Sequence, residues 1–215
     1  MSLREARGLY VLIDPEHTGG RDPELIARAA LRGGCAALQL RTKLLADGAR
    51  LTLAQKLRAL AFAAGVPFVM NDRVDLALLV GADGLHLGQD DLPLASARQL
   101  APALVLGLST HTPAQARAGA RAGADLLGFG PVFDTRSKAN PDPVVGLAAL
   151  AEVVRSVNVP VIAIGGITID TAPEVLRAGA RMGAVIGAVG EAEDPEQAAR
   201  ALHAALGGRP VSASL

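Results

Sequence analysis

Basic and amide side chains alternate in one short stretch of the chain, Gln39-Leu40-Arg41-Thr42-Lys43, which follows an apolar run. In an extended backbone this alternation places Gln39, Arg41 and Lys43 on one side. Arginine and lysine side chains that converge in this way suit an anionic group such as a phosphate. The stretch could equally be an ordinary solvated loop, and its residues alone do not decide.

Carboxylates follow two further apolar runs, in the segments Asn71–Arg73 and Gly84–Asp91. Asp72, with Asp90 or Asp91 at the neighbouring strand end, could hold Mg²⁺, with waters and substrate phosphates as the remaining ligands. The alternative is that Asn71 or Asp72 caps a following helix, and that Asp90 or Asp91 caps the next one. In the same region His86 lies inside an apolar run, which favours a buried core histidine over a ligand.

Hydroxyl groups and glycines follow the later apolar runs. Ser109, in Gly107–Thr112, could donate to a phosphate, and no Gly-x-Ser-x-Gly elbow surrounds it. The long irregular stretch Gly130–Pro143 contains two hydroxyls, an arginine and a lysine, which suits a lid that grips a phosphate; the alternative is a mobile surface loop. Gly165–Gly166 and Ile186–Gly187 would let backbone N–H groups approach an anion.

Eight short apolar runs separated by helical segments must position these residues. Runs that are apolar on both faces are typical of parallel strands covered by helices, so a (β/α)₈ TIM barrel is predicted, with an open doubly wound sheet as the alternative. Asp22, Thr112 and Asp194 are predicted helix N-caps. The predicted strands are Leu9–Ile13, Ala36–Gln39, Pro67–Met70, Gly84–Leu87, Leu104–Leu108, Asp125–Phe129, Pro160–Ile164 and Ala184–Ala188.

The composition narrows the class of protein. The chain has 215 residues, which suits one domain over 1–215 with a frayed tail from 209 to 215. Because 21 basic residues balance 21 acidic ones and aromatics make up 2%, no nucleic-acid or membrane-surface partner is expected. No apolar stretch is long enough to span a membrane, so we expect a cytoplasmic protein. The single cysteine, Cys35, is expected to be buried.

Taken together, the motifs resemble those of the thiamine phosphate synthase family, and they occur in that family's order over nearly the whole chain. They are Gln39-x-Arg41-x-Lys43, Asn71-Asp72-Arg73, Gly84–Asp91, Gly107–His111, Gly130–Phe133 with Thr135-x-Ser137-Lys138, and Ala163–Ile167.

The resemblance implies a reaction between two small molecules, with Mg²⁺ as cofactor. One is 4-amino-2-methyl-5-(diphosphooxymethyl)pyrimidine and the other is 4-methyl-5-(2-phosphooxyethyl)thiazole or its carboxylate. The products would be thiamine phosphate and diphosphate, with CO₂ as well when the carboxylate is used. The C–O bond to the diphosphate would break first, and the thiazole nitrogen would then attack the pyrimidine methyl cation. The residues themselves do not give the reaction, and they leave open whether the chain forms a homo-oligomer.

The resemblance also assigns roles, by position in this sequence. Asp72 and Asp91 would bind Mg²⁺, and Arg41, Lys43, Ser109 and Lys138 would be catalytic. The pyrimidine diphosphate would be held by Gln39, Arg41, Lys43, Asn71, Ser109 and Lys138, and the thiazole phosphate by Thr135, Arg136, Ser137, Gly166, Ile186 and Gly187. Three positions depart from the family pattern. Ser137 replaces a threonine, and Thr42 replaces a glutamate at a position that is not expected to contact substrate. Gly187 replaces a serine, which removes a hydroxyl from the phosphate site.

Three other functions stay open. A thiazole tautomerase of the same fold would have no diphosphate to expel, so Asp72, Asp91 and Lys138 argue against it. Another phosphate-binding barrel isomerase would need an acid and base pair at strand ends, which the sequence does not offer. A non-catalytic sensor of thiamine precursors would bind the ligands without releasing diphosphate.

Overall fold

The chain folds as a closed barrel of eight parallel strands, each followed by a helical segment. The computed structural model describes residues 2–135 and 142–209. Neighbouring strands follow chain order, and the barrel closes where Gly8–Val11 pair with Met182–Val185. This closure confirms the (β/α)₈ prediction over the open sheet. The strands are β1 Gly8–Ile13, β2 Ala37–Leu40, β3 Phe68–Asn71, β4 Gly84–Leu87, β5 Val105–Thr110, β6 Leu126–Phe129, β7 Val161–Ile164 and β8 Met182–Val185.

The helices cover the outside of this barrel. They are α1 Pro23–Gly33, α2 Asp47–Ala63, α3 Val74–Val80, α4 Leu94–Leu100, α5 Pro113–Arg121, α6 Gly146–Ser156, α7 Ala172–Arg177, α8 Gly187–Gly190 and α9 Pro195–Ala205, with a short 3₁₀ helix at Pro15–His17. The predicted caps are confirmed, because the side chains of Asp22, Thr112 and Asp194 accept from Glu24, Gln115 and Gln197 backbone N–H groups. Within the described residues, no helix has the length and apolarity that crossing a bilayer requires.

The hydrophobic core has two layers, separated by the wall of the barrel. On β1 the alternate residues Leu9, Val11 and Ile13 pack outward under the helices, whereas Tyr10 and Leu12 point into the barrel. Because both faces are buried, every residue of β1 is apolar or glycine. Cys35 lies in the outer layer, where burial raises the pKa of its thiol to about 12, so its predicted burial is confirmed.

The eighth strand differs from its prediction. It was expected over Ala184–Ala188, but β8 runs from Met182 to Val185 and the chain turns at Ile186 into the short helix α8. The apolar run continues through the turn, so hydropathy alone marks no boundary there. Pairing with β1 and β7 decides it, because the backbone groups of Met182–Ala184 are matched on both sides.

A buried histidine ties the last helix to the first strand. His203 Nδ1 accepts from the Leu9 backbone N–H at 3.3 Å, and Nε2 donates to the Arg209 carbonyl oxygen at 3.0 Å. Burial lowers the pKa of His203, although the bond to Arg209 opposes the shift. The predicted frayed tail from 209 to 215 falls outside the described residues beyond Arg209.

This arrangement predicts that acid weakens the fold. Because the pKa of His203 is lower in the folded protein than in the unfolded chain, the unfolded chain binds more protons as the pH falls below about 6.5. We therefore expect the free energy of unfolding to decrease from pH 7 to pH 5, measured by urea denaturation. His203→Gln keeps an acceptor but cannot ionise, so its decrease should be smaller. Equal decreases in the two proteins would contradict this role.

Candidate active site

A cavity of about 430 Å³ opens at the carboxyl ends of the strands. In TIM barrels this is the face that carries the active site. Apolar side chains form part of its wall, among them Leu12, Ile162, Ile164 and Val185. Eight of the residues predicted from the sequence line it: Gln39, Arg41, Asn71, Ser109, Thr135, Gly166, Ile186 and Gly187.

Two predicted anion ligands, Gln39 and Arg41, are held by partners on β1 and just after it. Gln39 is buried, and its Nε2 donates to the Tyr10 hydroxyl at 2.6 Å. Arg41 pairs with Asp14, whose side chain is fully buried. Sequence reasoning missed Asp14, although a carboxylate directly after the first predicted strand was the available signal. The pairing fixes the Arg41 guanidinium at the wall, with further N–H donors left for a ligand.

The residues predicted to bind the metal lie beside the cavity rather than in its lining. Lys43 Nζ pairs with Asp72 Oδ2, and Asp91 Oδ2 accepts from the Gly88 backbone N–H at 2.6 Å. Asp72 adopts a left-handed backbone conformation, with φ 62°, and its N–H donates to the His86 carbonyl oxygen at 2.8 Å. An aspartate tolerates this conformation better than most residues, so the chain turns here to present the carboxylate.

The carboxyl groups of Asp72 and Asp91 lie close enough for each to shift the pKa of the other. Burial raises the pKa of Asp72, and the neighbouring Asp91 raises it further against the effect of Lys43. The pKa of Asp91 is lowered, because bonds from Asp72 and the Gly88 N–H, with the charge of Lys43, outweigh its burial. Two acidic groups that repel each other in this way suit a divalent cation.

The capping alternative for these carboxylates is wrong. Helix α3 begins at Val74 behind Arg73, and α4 begins at Leu94 behind Pro93, and neither has a side-chain cap. Within the described ranges, no three His, Cys, Asp or Glu side chains form a cluster that could hold a metal alone. Asp72 and Asp91 would therefore supply two ligands, and water and substrate oxygens the rest.

His86 contributes to the cavity wall, which sequence reasoning missed. The interpretation as a satisfied core histidine is only half right, because His86 is buried but its Nδ1 has no partner among the described residues. Its Nε2 lies 2.9 Å from Ser109 Oγ. Burial lowers the pKa of His86 to about 4, so the ring is neutral at neutral pH.

The other histidine of this face, His111, has a backbone partner. Its Nδ1 donates to the Gly130 carbonyl oxygen at 2.6 Å, and its own N–H donates to Gln115 Oε1 at 2.7 Å. His111 thus joins the end of β5 to the start of the segment that follows β6.

That segment lies against the glycine pair after β7. The N–H groups of Val132 and Phe133 donate to Ile164 and Gly165 carbonyl oxygens at 2.9 and 3.1 Å. Gly166 has φ 65°, and a Cβ there would lie 2.8 Å from Phe133 Cβ and would overlap the Asp134 carbonyl oxygen. Glycine is required here by this close approach, in addition to any backbone contact with an anion. The predicted ligands Arg136, Ser137 and Lys138 lie outside the described residues.

We expect Gly166→Ala to push this segment away from the cavity. The substitution should raise KM for the substrate whose phosphate binds beside the glycine pair by about 10-fold or more, since 1.4 kcal/mol of lost binding corresponds to tenfold. Gly65→Ala is the matched control, because Gly65 has φ 66° with no atom within 4 Å of the added Cβ. Both variants carry the same backbone strain, so equal KM values in the two would rule out a role for the close approach.

Gly187, at the start of α8, lies opposite a carboxylate. A Cβ at Gly187 would come 3.1 Å from Glu191 Oε2, and Glu191 Oε1 lies 2.9 Å from His17 Nδ1. Both Gly187 and Glu191 line the cavity. In place of the hydroxyl expected from the family pattern, this wall has a backbone N–H beside the Glu191 carboxylate.

Comparison with known proteins agrees with this geometry. The family model described as thiamine monophosphate synthase matches residues 9–189, which include all eight strands except the first residue of β1, Gly8. The chain belongs to the thiamine monophosphate synthase family. It is therefore a transferase of thiamine biosynthesis. The thiamine-phosphate synthase of Anaeromyxobacter dehalogenans (strain 2CP-C) is 52% identical over 206 residues, which cover 94% of this chain and 90% of that protein. The one from Methanocella arvoryzae is 46% identical over 92% of this chain and 94% of its own.

Solved structures give the same result for the fold. A thiamine phosphate pyrophosphorylase from Pyrococcus furiosus superposes with a TM-score of 0.88 at 38% identity, over 96% of this chain and 98% of that one. A 3-hexulose-6-phosphate synthase superposes with a TM-score of 0.67 at 23% identity, over 93% of this chain and 99% of that one, a likeness of fold alone.

Proposed function

We propose that this family member condenses 4-amino-2-methyl-5-(diphosphooxymethyl)pyrimidine with 4-methyl-5-(2-phosphooxyethyl)thiazole, or its carboxylate, to thiamine phosphate and diphosphate, with CO₂ released as well when the carboxylate is used. The observation that carries the proposal is the cavity itself. Gln39, Arg41, Asn71 and Ser109 lie on the β2, β3 and β5 side, and Gly166 and Gly187 follow β7 and β8. One cavity thus offers two anion sites, as two phosphorylated substrates require.

The acidic pair beside the diphosphate side of the cavity supports a metal. Asp72 and Asp91 would hold Mg²⁺, because hard oxygen ligands suit this ion and their mutual repulsion would be relieved. When bound, the ion neutralises charge that develops on the departing diphosphate. Lys43 already neutralises part of the charge on Asp72, which keeps the pair compatible with a nearby anion.

The side chains of the cavity supply the remaining chemistry. The C–O bond breaks with its electron pair on the diphosphate, and donors from Arg41 and Ser109 in the cavity wall and from Lys43 beside it stabilise that charge. Lys138 lies outside the described residues, and its role as a further donor is what the family resemblance implies. The thiazole nitrogen attacks the pyrimidine methylene carbon with its own lone pair, so no general base is needed. The apolar wall of Leu12, Ile162 and Ile164 keeps water from the cation.

The first test is diphosphate release from the purified protein mixed with both substrates, with and without Mg²⁺. We expect release that requires both substrates and the ion, with thiamine phosphate formed in equal amount. Isomerisation of the thiazole carboxylate without diphosphate release would instead support the tautomerase function. Binding of both ligands by the folded protein without any turnover would support the sensor.

A further inference from the structure

The imidazole of His86 has one partnered nitrogen and one buried nitrogen without a partner. Nε2 lies 2.9 Å from Ser109 Oγ. Among residues 2–135 and 142–209, Nδ1 has no hydrogen-bond partner. A neutral imidazole carries a single N–H, and its surroundings decide which nitrogen has it. The choice sets what the Ser109 hydroxyl can offer to a ligand.

Two glycines form the slot that holds this ring. His86 on β4 pairs in register with Gly107 on β5, and Ser109, two residues further along β5, pairs with Gly128 on β6. A Cβ at Gly107 would overlap Nδ1, and a Cβ at Gly128 would lie 3.2 Å from Cε1. The ring therefore extends from β4 across β5 to β6, and the slot fixes its Nε2 edge against Ser109.

The unpartnered nitrogen identifies the tautomer. A proton on Nδ1 would leave a buried N–H without an acceptor, and such orphaned donors are rarer in proteins than under-satisfied acceptors. A proton on Nε2 is used in the bond to Ser109 Oγ. The imidazolium would also carry a proton on Nδ1 and leave the same buried N–H without an acceptor, so Nδ1 is the bare nitrogen.

We propose that His86 is a positioning residue that makes the Ser109 hydroxyl a hydrogen-bond donor toward the cavity. Its Nε2–H donates to Ser109 Oγ, so the hydroxyl proton turns to an oxygen of the diphosphate; this last step rests on the proposed function. With the other tautomer, the hydroxyl would donate to His86 and present lone pairs to the anion. A second bond fixes the backbone of Ser109, because Gln89 Nε2 donates to the Ser109 carbonyl oxygen at 2.6 Å.

The tautomer can be read directly by NMR on protein labelled with ¹⁵N-histidine, at neutral pH and without substrate. The His86 signals are assigned by their loss in His86→Met. We expect Nε2 to have the shift of a protonated nitrogen and Nδ1 that of a bare one. A protonated Nδ1 would overturn the proposal. This reading does not depend on whether the protein makes thiamine phosphate.

A double-mutant cycle tests the consequence, with inorganic diphosphate and Mg²⁺ as the probe in a calorimetric titration. We expect His86→Met, which fills the slot without a donor, to weaken binding on the order of 10-fold. In a Ser109→Ala background the same change should have almost no further effect, because the bond is already lost. An equal loss in both backgrounds would show a merely structural role.

His86→Gln keeps the test open if the methionine variant does not fold. The glutamine amide can donate to Ser109 Oγ. We therefore expect His86→Gln to bind diphosphate more tightly than His86→Leu, a folded variant whose side chain has no donor. Equal binding by the two would count against donation by His86. If the cycle behaves as expected but the wild-type protein forms no thiamine phosphate, then the proposed function fails and the positioning role stands.

Discussion

Replacement of Asp72 by Asn is expected to lower kcat/KM by about 100-fold or more, since removal of a group that stabilises developing charge commonly costs this much. Asparagine is the right substitute because it tolerates the left-handed backbone at φ 62°. The Mg²⁺ concentration that gives half-maximal activity should rise as well, which separates loss of the metal from loss of the fold.

Asp90→Asn is the matched control for this variant. Asp90 is exposed in the same β4–α4 segment as Asp91, so the change in charge is equal but the carboxylate pair stays intact. We expect nearly normal activity and an unchanged Mg²⁺ requirement. Normal activity in Asp72→Asn, or an equal defect in Asp90→Asn, would refute the assignment of Asp72 and Asp91 as the metal ligands.

Replacement of Asp14 by Ala is expected to have the largest effect on stability, about 3 kcal/mol in the free energy of unfolding, because breaking a buried ion pair leaves one charge uncompensated. The Asp14 side chain is fully buried and that of Arg41 is 16% exposed. Urea denaturation measures the loss. KM for the pyrimidine diphosphate should rise in the same variant, since Arg41 is no longer fixed at the cavity wall.

The double variant Asp14→Leu with Arg41→Met separates these two effects. Because both charges are removed together, no buried ion is left unpaired, and stability should recover most of the loss. Activity should not recover, because the guanidinium that faces the diphosphate is gone. A double variant as unstable as Asp14→Ala would show that Asp14 acts through its other bond, from the Glu16 N–H at 3.1 Å.

The elements of this fold could be predicted from local patterns, and its contacts could not. Helix starts at Asp22 and Asp194 follow from a cap and a proline one residue apart, which is local chemistry. The end of β8 does not follow from local chemistry, because Ile186 and Gly187 continue an apolar run. Only the pairing with β1 shows that the strand ends at Val185. Apolar residues show where a strand lies but not where its hydrogen bonds stop.

The same distinction between local patterns and long-range contacts holds for the candidate site. Gln39 and Arg41 could be predicted because alternation within one strand end places them together. Their partners Tyr10 and Asp14 could not, since they are about 27 to 29 residues away and meet them only through the β1–β2 pairing. The role of His86 depends on two glycines on two other strands, which no single stretch of sequence contains.

The pairing of β1 with β8 has a consequence for how the protein is made. Gly8–Val11 leave the ribosome early, but their partners Met182–Val185 are among the last strand residues to be synthesised. Until then the nascent barrel is an open sheet with two bare edges, each able to pair with another chain. The link from Leu9 N–H to His203 comes later still. During translation the edge of β1 therefore stays unpaired for longer than the edges of strands in a protein built from local contacts.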